Sequence, residues 1–188
     1  MAYGYSVELS PLQMAMLYNG IANEGKLISP VLVDHVKKDE DVLEEFESEV
    51  IRSSMCSSKT LREIKSCLHD VVWDNDLGTA SVYKWKGVIA KYKAQSQLVP
   101  IAGKTGTAQV MENGRYYSNK HRMSFVGYFP EEAPQYTCIC VIHAPKNRGY
   151  YDAGMDCGSV VRQIAEKTMA YSNEYVIDGN EILFRKKQ

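Results

Sequence analysis

The sequence of 188 residues contains no apolar run near the roughly 20 residues that a membrane-spanning helix needs. No basic-then-apolar pattern of a signal peptide opens it. An excess of one charge is missing too. With 22 basic and 23 acidic residues the formal net charge is -1, so there is no electrostatic case for a nucleic acid or an anionic membrane surface as partner. The five cysteines (Cys56, Cys67, Cys138, Cys140, Cys157) are odd in number and form no C-x-x-C pair. Cys138, Cys140 and His143 could be drawn around a metal. Cys138 and Cys140, however, alternate with Thr137, Ile139 and Val141 in an apolar strand, where small buried hydrophobes are the better reading. No metal and no cofactor is expected.

What the chain does have is a stretch, residues 99–110, reading VPIAGKTGTAQV. Gly103, Lys104, Thr105, Gly106 and Thr107 bring a cation, two hydroxyls and two glycines into five residues. The β-branched Val99, Ile101, Thr105 and Thr107 predict a strand. On a strand Thr105 and Thr107 share one face and Lys104 takes the other. Gly106 leaves a bare spot that suits close approach of a ligand or another backbone. Such a strand is built to hold an anionic, peptide-like substrate. Gly103-Lys104-Thr105 also ends the nucleotide-binding P-loop motif, but that motif needs a glycine where Leu98 stands and a helix where Gly106 and Thr107 follow.

The length suits one domain with a sizeable core. Ser10, Pro11 and Gln13 form an N-terminal capping box for a helix over residues 10–25. Leu12, Ala15, Met16, Asn19 and Ala22 lie at helical spacing, and Gly25 suits the C-terminal cap. Residues 30–38 look extended, and 39–49 carry seven acids in eleven residues, a solvated surface segment. A second helix is expected over 58–74, with Leu61, Ile64, Leu68, Val71 and Val72 on one face. Thr60 and Glu63 could cap it, or Ser57 or Ser58 could start it slightly earlier. The Tyr, Trp and Lys content of 81–97 suggests an extra surface hairpin. Asn113-Gly114-Arg115 is a turn, strands are expected at 122–130 and 135–144, and the short connection between them favours antiparallel neighbours. Both strands are apolar on both faces, as in a covered sheet. Residues 148–156 read as a loop and 157–171 as a third helix carrying Val160, Val161, Ile164, Ala165 and Thr168. A hairpin signal at Asp178-Gly179-Asn180 closes a tail that ends in Arg-Lys-Lys before Gln188. The fold class expected is mixed α/β (α+β), an antiparallel sheet flanked by helices.

AGKTGTAQ, followed after a gap by SFVGYFP and preceded by GYSVELSPLQMAMLYNGIANEGK, resembles the transpeptidase domain of penicillin-binding proteins, closest to the class B cell-elongation and cell-division type. Leu77-Gly78-Thr79-Ala80 is similar to the Gly-Thr-Ala that precedes the Lys-Thr-Gly strand in that family. The resemblance covers most of residues 3–166, with 39–56 and 81–97 variable or unmatched. Ser159 stands where the family usually has proline, and the aromatic usual near Val161 is absent. The resemblance implies a partial β-lactamase/transpeptidase-like fold, with Tyr3-Gly4-Tyr5 leading into the first helix from the active-site side. It implies a peptidoglycan D,D-transpeptidase acting through an acyl-serine, with a stem peptide and β-lactams as partners of the full-length protein. The parent would be membrane-anchored, with this domain in the bacterial periplasm or at the cell exterior. Lys104 would organise the nucleophile's protons and attract the substrate carboxylate. Thr105, Gly106 and Thr107 would bind substrate, and the Thr107 N–H would be one of two oxyanion donors.

The same resemblance asks for S-x-x-K and S-x-N upstream of Lys-Thr-Gly. The single S-x-x-K, Ser81-Val82-Tyr83-Lys84, follows a helix instead of opening one, and there is no S-x-N. Residues 1–171 are therefore expected to be the C-terminal portion of a transpeptidase domain, inactive alone and prone to self-association, with 172–188 a hairpin and tail. A non-catalytic interaction module of the same fold and a P-loop NTPase are the alternatives.

Overall fold

Local capping chemistry sets the first helix. The computed structural model describes residues 7–85, 87–112, 114–145, 151–172, 175–178 and 181–184. Tyr3 to Tyr5, Asn113, Gly179 and the basic tail lie outside them. Helix α1 (Pro11–Ala22) opens on the expected capping box, the Ser10 hydroxyl accepting from Gln13 N and the Gln13 side chain from Ser10 N. Gly25, at φ +84°, closes it by donating its N–H to Gly20 O at 2.8 Å. The buried face is Tyr18, Ile21 and Ala22, whereas Leu12 is exposed, so the inward stripe lies further along the helix than the spacing suggests.

An excursion follows. β1 (Leu27–Ile28) pairs with β4 (Val50–Arg52), and between them β2 (His35–Lys38) and β3 (Asp41–Glu45) form an antiparallel ribbon. The acidic segment is thus a strand in part, and it is solvated as expected: all five residues of β3 and all three of β4 are exposed. Helix α2 (Ser58–Trp73) starts at the Ser57 cap, the earlier of the two starts, with Thr60 N donating to Ser57 Oγ at 3.1 Å. It buries Leu61, Leu68 and Val72. A hairpin of β5 (Val82–Trp85) and β6 (Val88–Tyr92) comes next.

The central sheet is antiparallel, β7 (Ala102–Glu112), β8 (Arg115–Phe129) and β9 (Tyr136–His143), in that spatial order. β7 and β8 run on to the turn at Gly114 (φ +75°), so β8 begins well before the expected residue 122. A π-helical turn (Gly154–Gly158), where a loop was expected, leads into α3 (Ser159–Tyr171). α3 turns Val161, Ala165 and Met169 inward and leaves Val160 and Ile164 exposed. β10 (Tyr175–Asp178) and β11 (Glu181–Phe184) form the terminal hairpin.

Both faces of the sheet are covered. On one, Met123, Phe125 and Phe129 pack with Val161, Ala165 and Met169 of α3 and with Val72, Ile101 and Cys157. On the other, Ala102, Val126 and Tyr128 pack with Tyr18, Ile21 and Ala22 of α1 and with Leu61 and Leu68. This is the physical reason for strands apolar on both sides. Cys138 and Cys140 pack against the α3-side core. Burial, with Cys140 beside it, pushes the Cys157 thiol up to about 12, so it behaves as an inert hydrophobe.

Candidate functional site

The Lys-Thr-Gly run lies wholly within β7, an edge strand whose only partner among the described residues is β8. Its outer edge therefore has no second strand among the described residues, the position where an extended chain can add to a sheet. The register places Lys104 opposite Val126, Thr105 opposite Phe125 and Thr107 opposite Met123. Thr105 and Thr107 share the α3-side face and Lys104 takes the other, as alternation requires. The lysine stem nonetheless brings the ammonium back across the strand. Lys104 Nζ donates to Thr105 O at 2.8 Å and approaches Thr105 Oγ1 at 3.4 Å. One cation and the Thr105 hydroxyl thus converge, with Lys104 and Thr107 exposed and Thr105 half-buried.

The glycines have separate causes. A Cβ on Gly103 would lie 2.5 Å from Val126 O, 2.7 Å from the Phe125 ring and 2.9 Å from Gly127 Cα. A Cβ on Gly106 would lie 2.6 Å from Ser124 Oγ. The bare spot at Gly106 is thus already used by the β8 side chain opposite it.

A third hydroxyl, not singled out as a site residue from sequence, joins this group. Thr79 Oγ1 lies 2.7 Å from Thr105 Oγ1. Thr79 sits in the turn after α2, where Ala80 N donates to Val71 O at 2.9 Å and Ala94 N to Ala80 O at 2.8 Å. Behind Thr79 stands Lys93, whose ammonium is 3.2 Å from Thr79 O and 2.8 Å from Asp152 Oδ2. The Gly-Thr-Ala similarity carries a signal for Thr79. A lone lysine and a lone aspartate carry none for Lys93 and Asp152.

Ser81 is withdrawn from this chemistry. It is 1% exposed, and its hydroxyl donates to Gly78 O at 3.0 Å. Lys84, which would complete S-x-x-K, bonds Asp76 at 2.7 Å. Nor does β7 end in the loop-to-helix junction that a P-loop requires, since the strand continues to Glu112 and turns into β8. Among the described residues no three His, Cys, Asp or Glu side chains are grouped as a metal site, and no helix is long and apolar enough to cross a membrane.

A helix-covered antiparallel sheet with Lys-Thr-Gly on its edge strand defines a fold of the penicillin-binding, β-lactamase-like kind. The chain belongs to the penicillin binding protein transpeptidase domain family, whose pattern matches residues 1–170. It is similar to class B members. The probable peptidoglycan D,D-transpeptidase PenA of Neisseria meningitidis is 28% identical over 167 residues, covering 87% of this chain and 24% of the relative. Penicillin-binding protein 2X of Streptococcus thermophilus, 23% identical, shares the fold at a TM-score of 0.72 over 90% of this chain and 24% of that one. Penicillin-binding protein 3 of Mycobacterium tuberculosis, complexed with ampicillin, is 25% identical at a TM-score of 0.67, over 90% of this chain and 36% of that one. The chain thus spans about a quarter of the length of the curated relative it matches.

Proposed function

We propose that residues 1–171 form the C-terminal portion of a peptidoglycan D,D-transpeptidase domain and supply the Lys-Thr-Gly side of its acyl-serine site, with 172–188 an appended hairpin and tail. One observation carries the reading: Lys104 Nζ and the Thr105 and Thr79 hydroxyls converge on the open edge of β7. In this reading the ammonium draws the C-terminal carboxylate of a stem peptide, and the Thr105 and Thr107 hydroxyls donate to it. Gly106 makes room for the Ser124 hydroxyl of β8 and so lets β7 lie flat beside its partner, and the Thr107 N–H points at the developing oxyanion. A β-lactam carries a carboxylate in the same place, and a relative is known in complex with ampicillin. The serine nucleophile and its lysine belong to another part of the parent protein, because Ser81 is buried and Lys84 is paired elsewhere. The parent works outside the cytoplasm, where peptidoglycan is.

Intact-mass spectrometry after incubation with excess benzylpenicillin tests this. The 188-residue chain should gain no adduct, because losing nucleophile and base costs a serine hydrolase on the order of a millionfold in rate. The same chain joined to an upstream segment that carries S-x-x-K should gain one penicilloyl group, and Thr105→Val with Thr107→Val should slow that acylation by about a hundredfold. An adduct on Ser81 of the short chain, or no adduct on the longer one, would overturn the assignment.

A further inference from the structure

Lys93 and Asp152 are nearly enclosed, their side chains 13% and 12% exposed, with 2.8 Å between Nζ and Oδ2. Neither belongs to Lys-Thr-Gly, yet both end on its neighbour. A second ammonium proton of Lys93 goes to Thr79 O at 3.2 Å, and the other carboxylate oxygen of Asp152 accepts from Met155 N at 2.9 Å, which fixes the π-helical turn. The Lys93 backbone is held as well: Arg162 Nε donates to Lys93 O at 3.1 Å, and Lys93 N donates to Ser81 O at 3.0 Å. Gly154 packs directly on Thr79, and a Cβ there would collide with Thr79 O and reach Ala80 Cα at 3.1 Å. The Thr79 carbonyl is thus held from two sides, and the Thr79 hydroxyl is presented to Thr105 Oγ1 at 2.7 Å.

A buried ion pair is a poor stability device, since two apolar side chains of similar volume usually serve as well. What an apolar pair cannot do is donate to Thr79 O. Threonine can turn either its hydroxyl or its methyl toward the strand edge by rotation about χ1. The Thr79 hydroxyl on one side and Lys104 Nζ on the other favour the hydroxyl at Thr105. We infer that the Lys93–Asp152 pair is a positioning element, which acts through Thr79 to hold the Thr105 hydroxyl ready for a substrate carboxylate. The carboxylate part of this inference rests on the function proposed above; the orientation of Thr105 does not.

Nuclear magnetic resonance on the 188-residue chain separates the two. Three-bond couplings from Thr105 Cγ2 to its backbone nitrogen and carbonyl report χ1. Titration with diacetyl-L-lysyl-D-alanyl-D-alanine, followed at the Thr105 and Thr107 amides, reports carboxylate binding. The parent should show one χ1 rotamer. The paired replacement Lys93→Met with Asp152→Leu removes both charges together. It should average the couplings and weaken peptide binding about fivefold, the worth of one hydrogen bond, with the melting temperature nearly unchanged. Lys93→Arg should restore both readouts. Lys93→Met alone, which removes the donor to Thr79 O and leaves the Asp152–Met155 contact in place, gives the same comparison if the paired variant does not fold. Unchanged couplings and affinity in the variants would overturn the inference while leaving the site reading intact. Averaged couplings in the variants, with no peptide response even in the parent, would overturn the carboxylate reading and leave Thr105 positioning established.

Discussion

The central sheet and the excursion at residues 27–52 are both built from antiparallel strands with apolar residues, yet they end in opposite environments. In the sheet, Phe125 and Met123 meet α3, while Val126 and Tyr128 meet α1 and α2. In the excursion, Val42 and Leu43 are neighbours on β3, so they point to opposite faces of the ribbon, and both are exposed. The sheet is packed by helices on two sides, and among the described residues no helix is seen to cover the β2–β3 ribbon. Strand-forming pattern is therefore not enough; a strand is as fixed as the layers that cover it.

The largest effect should come from uncovering the sheet. Phe125→Ala deletes a ring with no exposure that lies over the Gly103 and Gly127 backbones, and should cost about 3 to 5 kcal/mol in urea unfolding. A loss below about 1 kcal/mol would mean that the sheet is no better packed than the ribbon. Next comes Gly103→Ala, whose methyl would press on Val126 O and Gly127 Cα. Overpacking there should cost about 1 to 3 kcal/mol. It would also push the first residues of β7 away from β8, visible as faster amide exchange at residues 102–105.

A smaller, pH-dependent effect belongs to the end of the sheet, where Glu131 meets His69 at 2.8 Å. Burial holds the Glu131 carboxyl above the usual carboxylate range, and the contact with His69 only partly offsets this. The folded chain then keeps that proton longer than the unfolded chain does. Its contribution to stability is complete below the ordinary carboxylate range and is lost as pH rises through the raised folded value. Glu131→Gln should flatten that decline when urea midpoints are compared across the window. A slope unchanged from the parent would assign the decline to other groups.

The smallest folding effect should be in the ribbon. Leu43→Ser should change unfolding free energy by no more than about 0.5 kcal/mol. Val42, Leu43, Phe46 and Ile51 are each exposed, and apolar side chains left in water on both faces of the ribbon favour association between chains. Replacing Val42, Leu43 and Phe46 by serine should lower the weight-average mass in sedimentation velocity without shifting the melting temperature. An unchanged mass would place self-association on another surface.

Much of the fold is legible in the sequence where the determinants are local. The Ser10–Gln13 capping box, the Ser57 start of α2 and the glycine at the end of α1 each depend on residues three to five apart, and each appears in the fold. The turn at Gly114 is also legible, but not how far it extends the β7–β8 ribbon, because residues 115–121 mix charged and aromatic side chains with no clean alternation. Which face of α1 and α3 turns inward is less legible. Leu12 precedes the Tyr18–Ala22 stretch of α1 that meets the sheet, and Val160 and Ile164 lie one residue out of phase with the Val161, Ala165 and Met169 face that α3 turns inward.

By itself, then, the sequence determined the strand bearing Lys104, Thr105 and Thr107, its antiparallel partners, the helix starts and the family. Each follows from spacing along the chain or from an ordered set of motifs. Only the tertiary structure decided that Thr79 meets Thr105, that Lys93 pairs with Asp152 behind them, and that Ser81 is buried away from β7. Those contacts join residues far apart in the chain, and no local rule relates them. They exist because α3 and its π-helical turn close over the sheet and trap the β5–β6 hairpin's end against the turn after α2.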